Sequence, residues 1–292
     1  MRVLHADGIF DFDEGTATYS NNHCSTLLLR SHWTGWWSWV DLYGNEFYDM
    51  ARGIPQSCRA GEERMPSQIQ FKTDMSMFGW FAAQGSLHRV HRTLGGGAIA
   101  QAPGITTDYP WEEITNGKIL DIGGGGGGLI SSLLNKYPTM QAGIFDRPEV
   151  IEQAKKNLYD ADGLYAQVGH RVLPEDLHSG DFFRTIPSYE VYCMKFCLHD
   201  WNDKDCITIL KNIRKAIVIG PKSRFVLLEI MLQKGRKGQL SRMADMSVMM
   251  AANGVEREEW EWDYLARQSG WEIKRKFHLR NAWPTAMELV PV

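Results

Sequence analysis

Two groups of residues in this sequence have types and spacings that could support chemistry. The first is a run of six glycines at residues 123–128, with an aspartate, Asp146, further along the chain. Glycines lack a Cβ, so they allow sharp turns and let another molecule approach the backbone. A glycine turn that opens a helix and is followed about 20 residues later by a carboxylate is the pattern of nucleotide binding, because the carboxylate can accept hydrogen bonds from ribose hydroxyls.

The glycine run also has a structural interpretation, as a flexible linker. The flanking residues favour the nucleotide site. Ile119, Leu120 and Ile122 make the short apolar run of a buried parallel strand, and residues 129–137 have helical periodicity. Asp146 does not identify the nucleotide, since NAD, FAD and S-adenosylmethionine all present a ribose at this position.

The second group begins with His199, which directly follows a predicted strand at residues 190–197. In open α/β sheets, ligands bind beyond the carboxyl ends of the strands. A histidine at that position is suited to general-base catalysis because its pKa is near neutral. The alternative interpretation is a histidine that caps or packs against the next helix.

Two glutamates complete the second group. Glu229 lies in the apolar run RFVLLEIML, where burial of a carboxylate is costly unless it has a partner. Its alternative interpretation is a solvent-exposed residue at the end of a strand. Glu256 begins a late helical pattern, and its alternative interpretation is a charge that favours the N-terminus of that helix.

The elements that must position these residues alternate between strands and helices from residue 118 onwards. Such alternation predicts an α/β fold, a doubly wound parallel sheet with helices on both faces, and the last two strands predict an antiparallel edge. The predicted strands are residues 119–122, 142–145, 165–173, 190–197, 224–232, 271–279 and 286–290. The predicted helices are residues 129–137, 147–159, 203–217 and 257–269.

The chain before residue 118 predicts a different organisation. Residues 1–30 suggest two short strands around the turn DEGT, which need a helical partner, so we expect the sequence to begin inside a longer protein. Residues 31–98 have aromatic residues and methionines at helical spacings, which fits either a helix–helix core or the wall of a substrate pocket. Residues 95–117 are rich in Gly, Pro and Thr and predict a loop that contains the domain boundary.

Composition and charge exclude several functional classes. The 292 residues are 43% hydrophobic and 23% charged, which is ordinary for a globular protein. The net charge of −3 gives no reason to expect nucleic acid as a partner. No apolar run reaches the roughly 18 residues of a membrane span, and the N-terminus lacks a signal-peptide pattern. Five cysteines without a framework spacing indicate a reducing compartment, so we expect a cytoplasmic protein without a zinc site.

Six sequence segments in order carry a resemblance to a known family. They are DIGGGGG at 121–127, FDRPEVI at 145–151, SGDFF at 179–183, MKFCLHDWNDKDC at 194–206, LLEIML at 227–232 and NGVERE at 253–258. This set resembles the plant and fungal small-molecule O-methyltransferases of the caffeic-acid/flavonoid type, which use S-adenosylmethionine and release S-adenosylhomocysteine.

The resemblance implies a role for each matching residue. His199 would be the base, with Glu229 and Glu256 flanking and orienting it, and no metal would be required. The implied cofactor-binding residues are Gly123, Gly125, Asp146, Arg147, Asp181, Phe182 and Lys195. The implied substrate-binding residues are Phe78, Phe81, Met249, Met250 and Asn253.

The resemblance also implies a Rossmann-like class I methyltransferase domain at residues 118–292 and a linker at 99–117. Residues 1–98 would hold the remnant of a winged-helix dimerisation domain and a helical pocket segment, and the protein would be a homodimer. The implied reaction is methylation of a hydroxyl on a small aromatic or polyketide-like secondary metabolite. Two alternatives stay open: a pericyclase or dehydratase of the same fold that uses bound S-adenosylmethionine electrostatically, and a binding-only pseudoenzyme.

Overall fold

The chain divides into two units, which are described separately. The computed structural model describes residues 1–235, 238–280 and 282–292. The first unit is Met1–Ala100 and the second is Gln101–Val292. No helix in the described ranges combines the length and the apolar character that crossing a membrane requires.

The N-terminal unit contains the predicted hairpin and the predicted helices after it, and also a short helix before the hairpin that the sequence did not predict. Strands β1 (Phe10–Asp13) and β2 (Thr18–Asn21) pair in antiparallel fashion across the DEGT turn. A π-helical turn at Tyr43–Phe47 stacks two aromatic rings with centroids 4.5 Å apart. The helices are α1 (Arg2–Ala6), α2 (His23–Thr26), α3 (Trp36–Leu42), α4 (Tyr48–Met50), α5 (Ile54–Ser57), α6 (Pro66–Phe71), α7 (Met77–Ala83) and α8 (Leu87–Asp108), the last of which continues into the second unit.

The prediction of a loop at residues 95–117 is wrong for most of that segment. Helix α8 runs through it to residue 108 and includes Pro103, and a 3-10 turn follows at Trp111–Ile114. Gly104, one of the glycines that suggested a loop, has a packing role instead. A Cβ on Gly104 would lie 2.1 Å from the carbonyl oxygen of Arg280, so only glycine allows this close approach of two backbones.

The C-terminal unit contains the predicted doubly wound sheet. Its strands are β3 (Lys118–Ile122), β4 (Gln141–Asp146), β5 (Leu177–Ser179), β6 (Val191–Lys195), β7 (Arg224–Glu229), β8 (Met231–Leu232), β9 (Arg257–Glu258), β10 (Trp271–His278) and β11 (Thr285–Pro291). Seven of these described strands form one sheet in the order β10–β11–β7–β6–β3–β4–β5. The pairs from β7 to β5 are parallel, and β11 and β10 form the predicted antiparallel edge.

Helices cover both faces of this sheet. The helices of this unit are α9 (Gly128–Lys136), α10 (Pro148–Tyr159), α11 (Ala166–Gly169), α12 (Asp203–Ala216), α13 (Gln239–Ala252) and α14 (Glu259–Gln268). Leu133 of α9 belongs to the core on one face, with Val191 and Cys193 of β6. Ile209 of α12 belongs to the core on the other face, with Tyr192. The alternation along β6 is that of a strand buried on both sides.

The strand order places a crevice at one end of the sheet. Strand β3 lies between β4 and β6, so the chain crosses to opposite sides of β3 in its first and later excursions. Ligands of open α/β sheets bind at such a switch point, outside the carboxyl ends of the strands. The glycine turn follows β3, and the segment with His199 follows β6.

The prediction of a strand at residues 165–173 is wrong. Those residues form the short helix α11 and turns, and the third parallel strand is β5 instead. Contacts with residues outside this segment explain the difference, and the local sequence does not reveal them. Gly169 packs so closely that a Cβ would lie 1.9 Å from the Leu158 carbonyl oxygen. Arg171 donates hydrogen bonds to the carbonyl oxygens of Leu134, Tyr137 and Met140 at the end of α9.

Two other predicted elements have different bounds, and one helix was not predicted. The strand predicted at 224–232 is interrupted after Glu229, and its last residues form β8. The helix predicted at 257–269 begins at Glu259, because its first two residues pair with β8 as β9. Helix α13 was missed, although Met243, Met246 and Met250 recur in it at helical spacing.

Two alanine substitutions in α8 test the packing of Gly104. Inside a helix, Gly→Ala normally stabilises by about 1 kcal/mol. Gly95→Ala should do so, because nothing lies within 4 Å of its Cβ position. Gly104→Ala should destabilise by about 1–3 kcal/mol, since its Cβ would overlap the Arg280 carbonyl oxygen. Thermal unfolding measures both, and a Tm for Gly104→Ala at or above wild type would contradict the packing.

Candidate active site

The glycine turn after β3 has a backbone that few other residues adopt. Gly123, Gly125 and Gly127 have φ of +70°, +56° and +94°, in the left-handed region. Gly127 is also the N-cap of α9, where the unpaired N–H groups of the helix are found. A turn of this kind can bring backbone N–H groups close to a bound molecule.

Side chains lie against two further glycines of the run. A Cβ on Gly126 would lie 2.6 Å from Nδ2 of Asn157, and that amide donates to the Gly126 carbonyl oxygen at 3.0 Å. A Cβ on Gly128 would lie 3.2 Å from the Tyr165 hydroxyl oxygen. The run is therefore a packed turn, and the linker interpretation is wrong.

Asp146 ends β4 beside the glycine turn. Its Oδ2 accepts a hydrogen bond from the backbone N–H of Gly125 at 2.9 Å, and its Oδ1 accepts one from Arg147 at 2.7 Å. Each carboxylate oxygen can still accept another donor. The Arg147 side chain is 71% exposed and lies 3.3 Å from Glu149.

Asp181 and Phe182 follow β5, at the same edge of the sheet. Asp181 accepts a hydrogen bond from the backbone N–H of Phe183 at 2.9 Å. The Phe182 ring lies edge-on to Trp201, with centroids 5.7 Å apart, and Phe183 lies 4.8 Å from the same indole. These residues form an aromatic cluster beside a carboxylate.

Lys195 ends β6 close to two buried carboxyl groups. Burial lowers the pKa of Lys195, and the negative charges of Asp121 and Glu229 oppose that shift. Burial also raises the pKa of Asp121 to about 7, against the attraction of Lys195. The ammonium group of Lys195 lies 4.6 Å from the centroid of the Phe196 ring.

His199, Glu229 and Glu256 lie together, although they are far apart in sequence. His199 Nδ1 is 2.9 Å from Glu256 Oε1 and 3.7 Å from Glu229 Oε2. Glu229 is 0% exposed and Glu256 is 1% exposed, so the interpretation of Glu229 as an exposed strand end is wrong. Glu256 precedes α14 by three residues and contacts His199, so its interpretation as a helix-terminal charge is also wrong.

Backbone N–H groups fix Glu229 at the end of β7. Its Oε1 accepts hydrogen bonds from the backbone of Cys197 at 2.8 Å and of Leu198 at 2.7 Å. These N–H groups belong to the turn that leads from β6 to His199. The carboxylate and the imidazole are thus held by the same short segment.

Glu256 is fixed by the loop after α13. Its backbone N–H donates to Asp245 Oδ1 at 2.8 Å, and the N–H of Val255 donates to the His199 carbonyl oxygen at 2.8 Å. A Cβ on Gly254 would lie 2.5 Å from that same carbonyl oxygen. The glycine in this segment is therefore needed for the loop to reach His199.

The two carboxylates keep a proton on His199. Burial alone would lower the pKa of His199, but the charges of Glu229 and Glu256 and the hydrogen bond with Glu256 raise it to about 9. Burial raises the pKa of both glutamates, and the positive charge of His199 opposes that shift. Because Nδ1 contacts Glu256, Nε2, which lies 3.7 Å from Asp200 Oδ1, is the nitrogen that can exchange a proton with a bound molecule.

The predicted substrate-binding residues lie on two elements. Met249 and Met250 are in the last turn of α13, and Asn253 ends that helix with φ of +55°. Phe78 and Phe81 are in α7 of the N-terminal unit, where Phe81 is buried and Phe78 is 45% exposed. Their contact with a substrate stays a prediction.

Several neighbours of the site were not singled out from the sequence. Cys197 Sγ would lie 3.3 Å from a Cβ on Gly123, so its thiol borders the glycine turn. Asp245 lies on α13, the helix that was not predicted, although its methionine spacing was a usable signal. Phe196 lies parallel to the His199 ring, with centroids 5.8 Å apart.

The protonation of His199 can be measured directly. In wild type the ring should titrate with a pKa near the value of about 9 that the carboxylates cause. Glu256→Gln removes one negative charge and should lower this pKa by roughly 1–3 units. NMR titration of the histidine ring protons measures both, and His170→Gln, which removes an exposed histidine, is the matched control. An unchanged His199 pKa in Glu256→Gln would contradict the electrostatic account.

Comparison with known proteins agrees with this geometry. Residues 107–272 match the O-methyltransferase domain family. The chain is 53% identical over 291 residues to O-methyltransferase aclM of Aspergillus oryzae, covering 100% of this chain and 67% of that relative. It is 49% identical to O-methyltransferase verK of Clonostachys rogersoniana over 291 residues, covering 100% of this chain and 71% of that relative.

Solved structures share the fold at lower identity. The pyocyanin biosynthetic protein PhzM aligns with a TM-score of 0.81 at 21% identity, over 100% of this chain and 83% of that one. The neocarzinostatin O-methyltransferase NcsB1, in complex with S-adenosylhomocysteine and 1,4-dihydroxy-2-naphthoic acid, aligns with a TM-score of 0.71 at 21% identity, over 100% of this chain and 83% of that one. As the motifs and the sheet predict, the protein belongs to the S-adenosylmethionine-dependent O-methyltransferase family.

Proposed function

We propose that this enzyme methylates a hydroxyl group of a small aromatic or polyketide-like secondary metabolite, with His199 as the general base. The observation that carries the proposal is the contact of His199 Nδ1 with Glu256 at 2.9 Å, beside the buried carboxylate of Glu229. That arrangement leaves Nε2 available for a substrate proton. The aromatic ligand in the NcsB1 complex supports the substrate class.

The residues around the glycine turn fit S-adenosylmethionine. Its sulfonium supplies a methyl group that is already activated for transfer. Gly123 and Gly125 would line the methionine part, where their backbone has no Cβ in the way. Asp146, which ends β4, would accept hydrogen bonds from the ribose hydroxyls. The adenine would be held by Asp181 and Phe182, with Arg147 and Lys195 near the same edge of the sheet.

Removal of the substrate proton would fall to the three titratable groups. Neutral His199 accepts the proton at Nε2 and becomes an imidazolium, and the charges of Glu229 and Glu256 stabilise that cation as it forms. The same charges also keep most of the resting enzyme in the form with a protonated His199, which cannot accept a proton. With a pKa of about 9, roughly one His199 in a hundred is neutral at pH 7. The rate should therefore rise with pH.

The three groups act as a proton acceptor in this proposal and bind no metal. Their ligand atoms lie within 4.8 Å of one another, which would also be short enough to surround a cation. However, Nδ1 of His199 already contacts Glu256. Excess EDTA should leave the methylation rate unchanged.

Two wider aspects of the function also stay proposals. Free thiols at all five cysteines support a reducing, cytoplasmic compartment. The homodimer is supported by the resemblance to the family. Phe78, Phe81, Met249, Met250 and Asn253 are proposed to contact the substrate.

Methyl transfer itself is tested with labelled S-adenosylmethionine and a panel of phenols and naphthols. We expect S-adenosylhomocysteine to form, at a rate that increases between pH 7 and pH 9 as the His199 cluster loses its proton. His199→Ala should reduce the rate at least a hundredfold and leave cofactor affinity near wild type. Rearranged product without S-adenosylhomocysteine would instead identify a pericyclase, and a fully active His199→Ala would refute the base.

The packed glycine turn gives a separate prediction on cofactor affinity. Gly126→Ala places a Cβ against the Asn157 amide and should displace the turn. The affinity for S-adenosylmethionine should fall on the order of tenfold, as expected for a small misplacement of a binding loop. The double variant Gly126→Ala/Asn157→Ala removes the obstruction and should recover part of the loss. Calorimetric titration measures all three proteins, and no recovery would mean that the contact with Asn157 is not the cause.

A further inference from the structure

Phe196 has an unusual backbone for an aromatic residue. It lies between β6 and the 3-10 turn that carries His199, and its φ is +51°. Among the non-glycine residues that the structure describes, positive φ also occurs at Ala17, Lys72 and Asn253. For a bulky side chain this region is a true outlier, which persists only where the surrounding structure enforces it.

Hydrogen bonds on both sides enforce this conformation. The backbone N–H of Phe196 donates to the Leu228 carbonyl oxygen at 3.1 Å, as if β6 continued for one more residue. The next two N–H groups, of Cys197 and Leu198, turn away from the sheet and converge on Glu229 Oε1. Successive N–H groups beside a left-handed residue form a concavity that binds an anion. Here the anion is the buried carboxylate that faces His199.

The side chain of Phe196 contacts the same histidine. Its ring lies nearly parallel to the imidazole, with an interplanar angle of 11° and centroids 5.8 Å apart. The ammonium group of Lys195 is 4.6 Å from the centroid of the Phe196 ring. The ring therefore restricts the plane of His199 from one side, while Glu256 holds the Nδ1 edge.

We propose that Phe196 is a positioning residue for proton removal, whose left-handed backbone directs two N–H groups to Glu229 and whose ring fixes the plane of His199. The inference rests on the proposed role of His199 as the base. It adds a residue that acts through Glu229 and through the ring of His199. It also explains why a strained conformation occurs at this point of the chain.

The backbone and the ring respond differently to substitution, which allows a sharp test. Phe196→Tyr keeps the ring, Phe196→Leu keeps the bulk but removes the ring, and Phe196→Ala and Phe196→Gly remove both. Glycine has no steric penalty at positive φ, whereas alanine does. We expect the Tm of Phe196→Gly to exceed that of Phe196→Ala by about 2–4 °C. We expect both to be equally poor catalysts.

Steady-state kinetics separates positioning from folding. For Phe196→Leu, kcat should fall about tenfold, as expected for the loss of an aromatic pair, while KM for both substrates stays near wild type. Phe196→Tyr should keep most of kcat. An undiminished kcat in Phe196→Leu, or an equal loss in Phe196→Tyr, would overturn the role of the ring. A Phe196→Gly no more stable than Phe196→Ala would overturn the role of the backbone.

His199→Ala, assayed in parallel, separates this inference from the proposed function. If His199→Ala is inactive and Phe196→Leu is fully active, only the role of Phe196 is refuted. If His199→Ala keeps its activity, the base assignment fails whatever the Phe196 variants do.

Discussion

Burial of two carboxylates beside one imidazole is the interaction on which the rest of this site depends. Glu229 and Glu256 are almost completely inaccessible to water, and an unpaired carboxylate there would be strongly unfavourable. His199 supplies the positive charge, and backbone N–H groups supply part of the hydrogen bonding. Removal of one partner from a buried ion pair typically costs about 3–5 kcal/mol, because it leaves a charge without compensation. A substitution in this cluster should therefore lower the stability of the segments that follow β6 and β7 as well as change the properties of the site.

The sheet topology brings this cluster to the same end of the sheet as the glycine turn. The turn after β3, Asp146 at the end of β4 and His199 after β6 all lie at carboxyl ends of parallel strands. The carboxyl ends of the parallel strands thus bring together the glycine turn and the cluster of His199, Glu229 and Glu256. In-line methyl transfer requires such closeness, because the acceptor oxygen must lose its proton while it is aligned with the activated methyl group.

Most of this arrangement could be predicted from the sequence. Short apolar runs and the alternation of strands with helices predicted the parallel strands and the antiparallel edge, and the ordered motifs predicted the residues that surround His199. The failures have a common physical cause. Gly104 suggested a loop and residues 165–173 suggested a strand, but contacts with Arg280, Leu158 and the end of α9 decide both regions. Phe196 could not be predicted at all, because its φ depends on a carboxylate in another strand.

The six-glycine turn has a consequence for folding entropy. Each glycine loses more conformational freedom than alanine when it becomes ordered, by roughly 0.5–1 kcal/mol. The glycine turn, which lets a ligand approach the backbone closely, therefore loses more conformational entropy on ordering than a turn of other residues would. Asn157 and Tyr165, which lie against the turn from outside, offset this tendency. Substitutions in α10 or in residues 160–178 can thus alter cofactor affinity without touching the cofactor, by changing how much disorder its binding must remove.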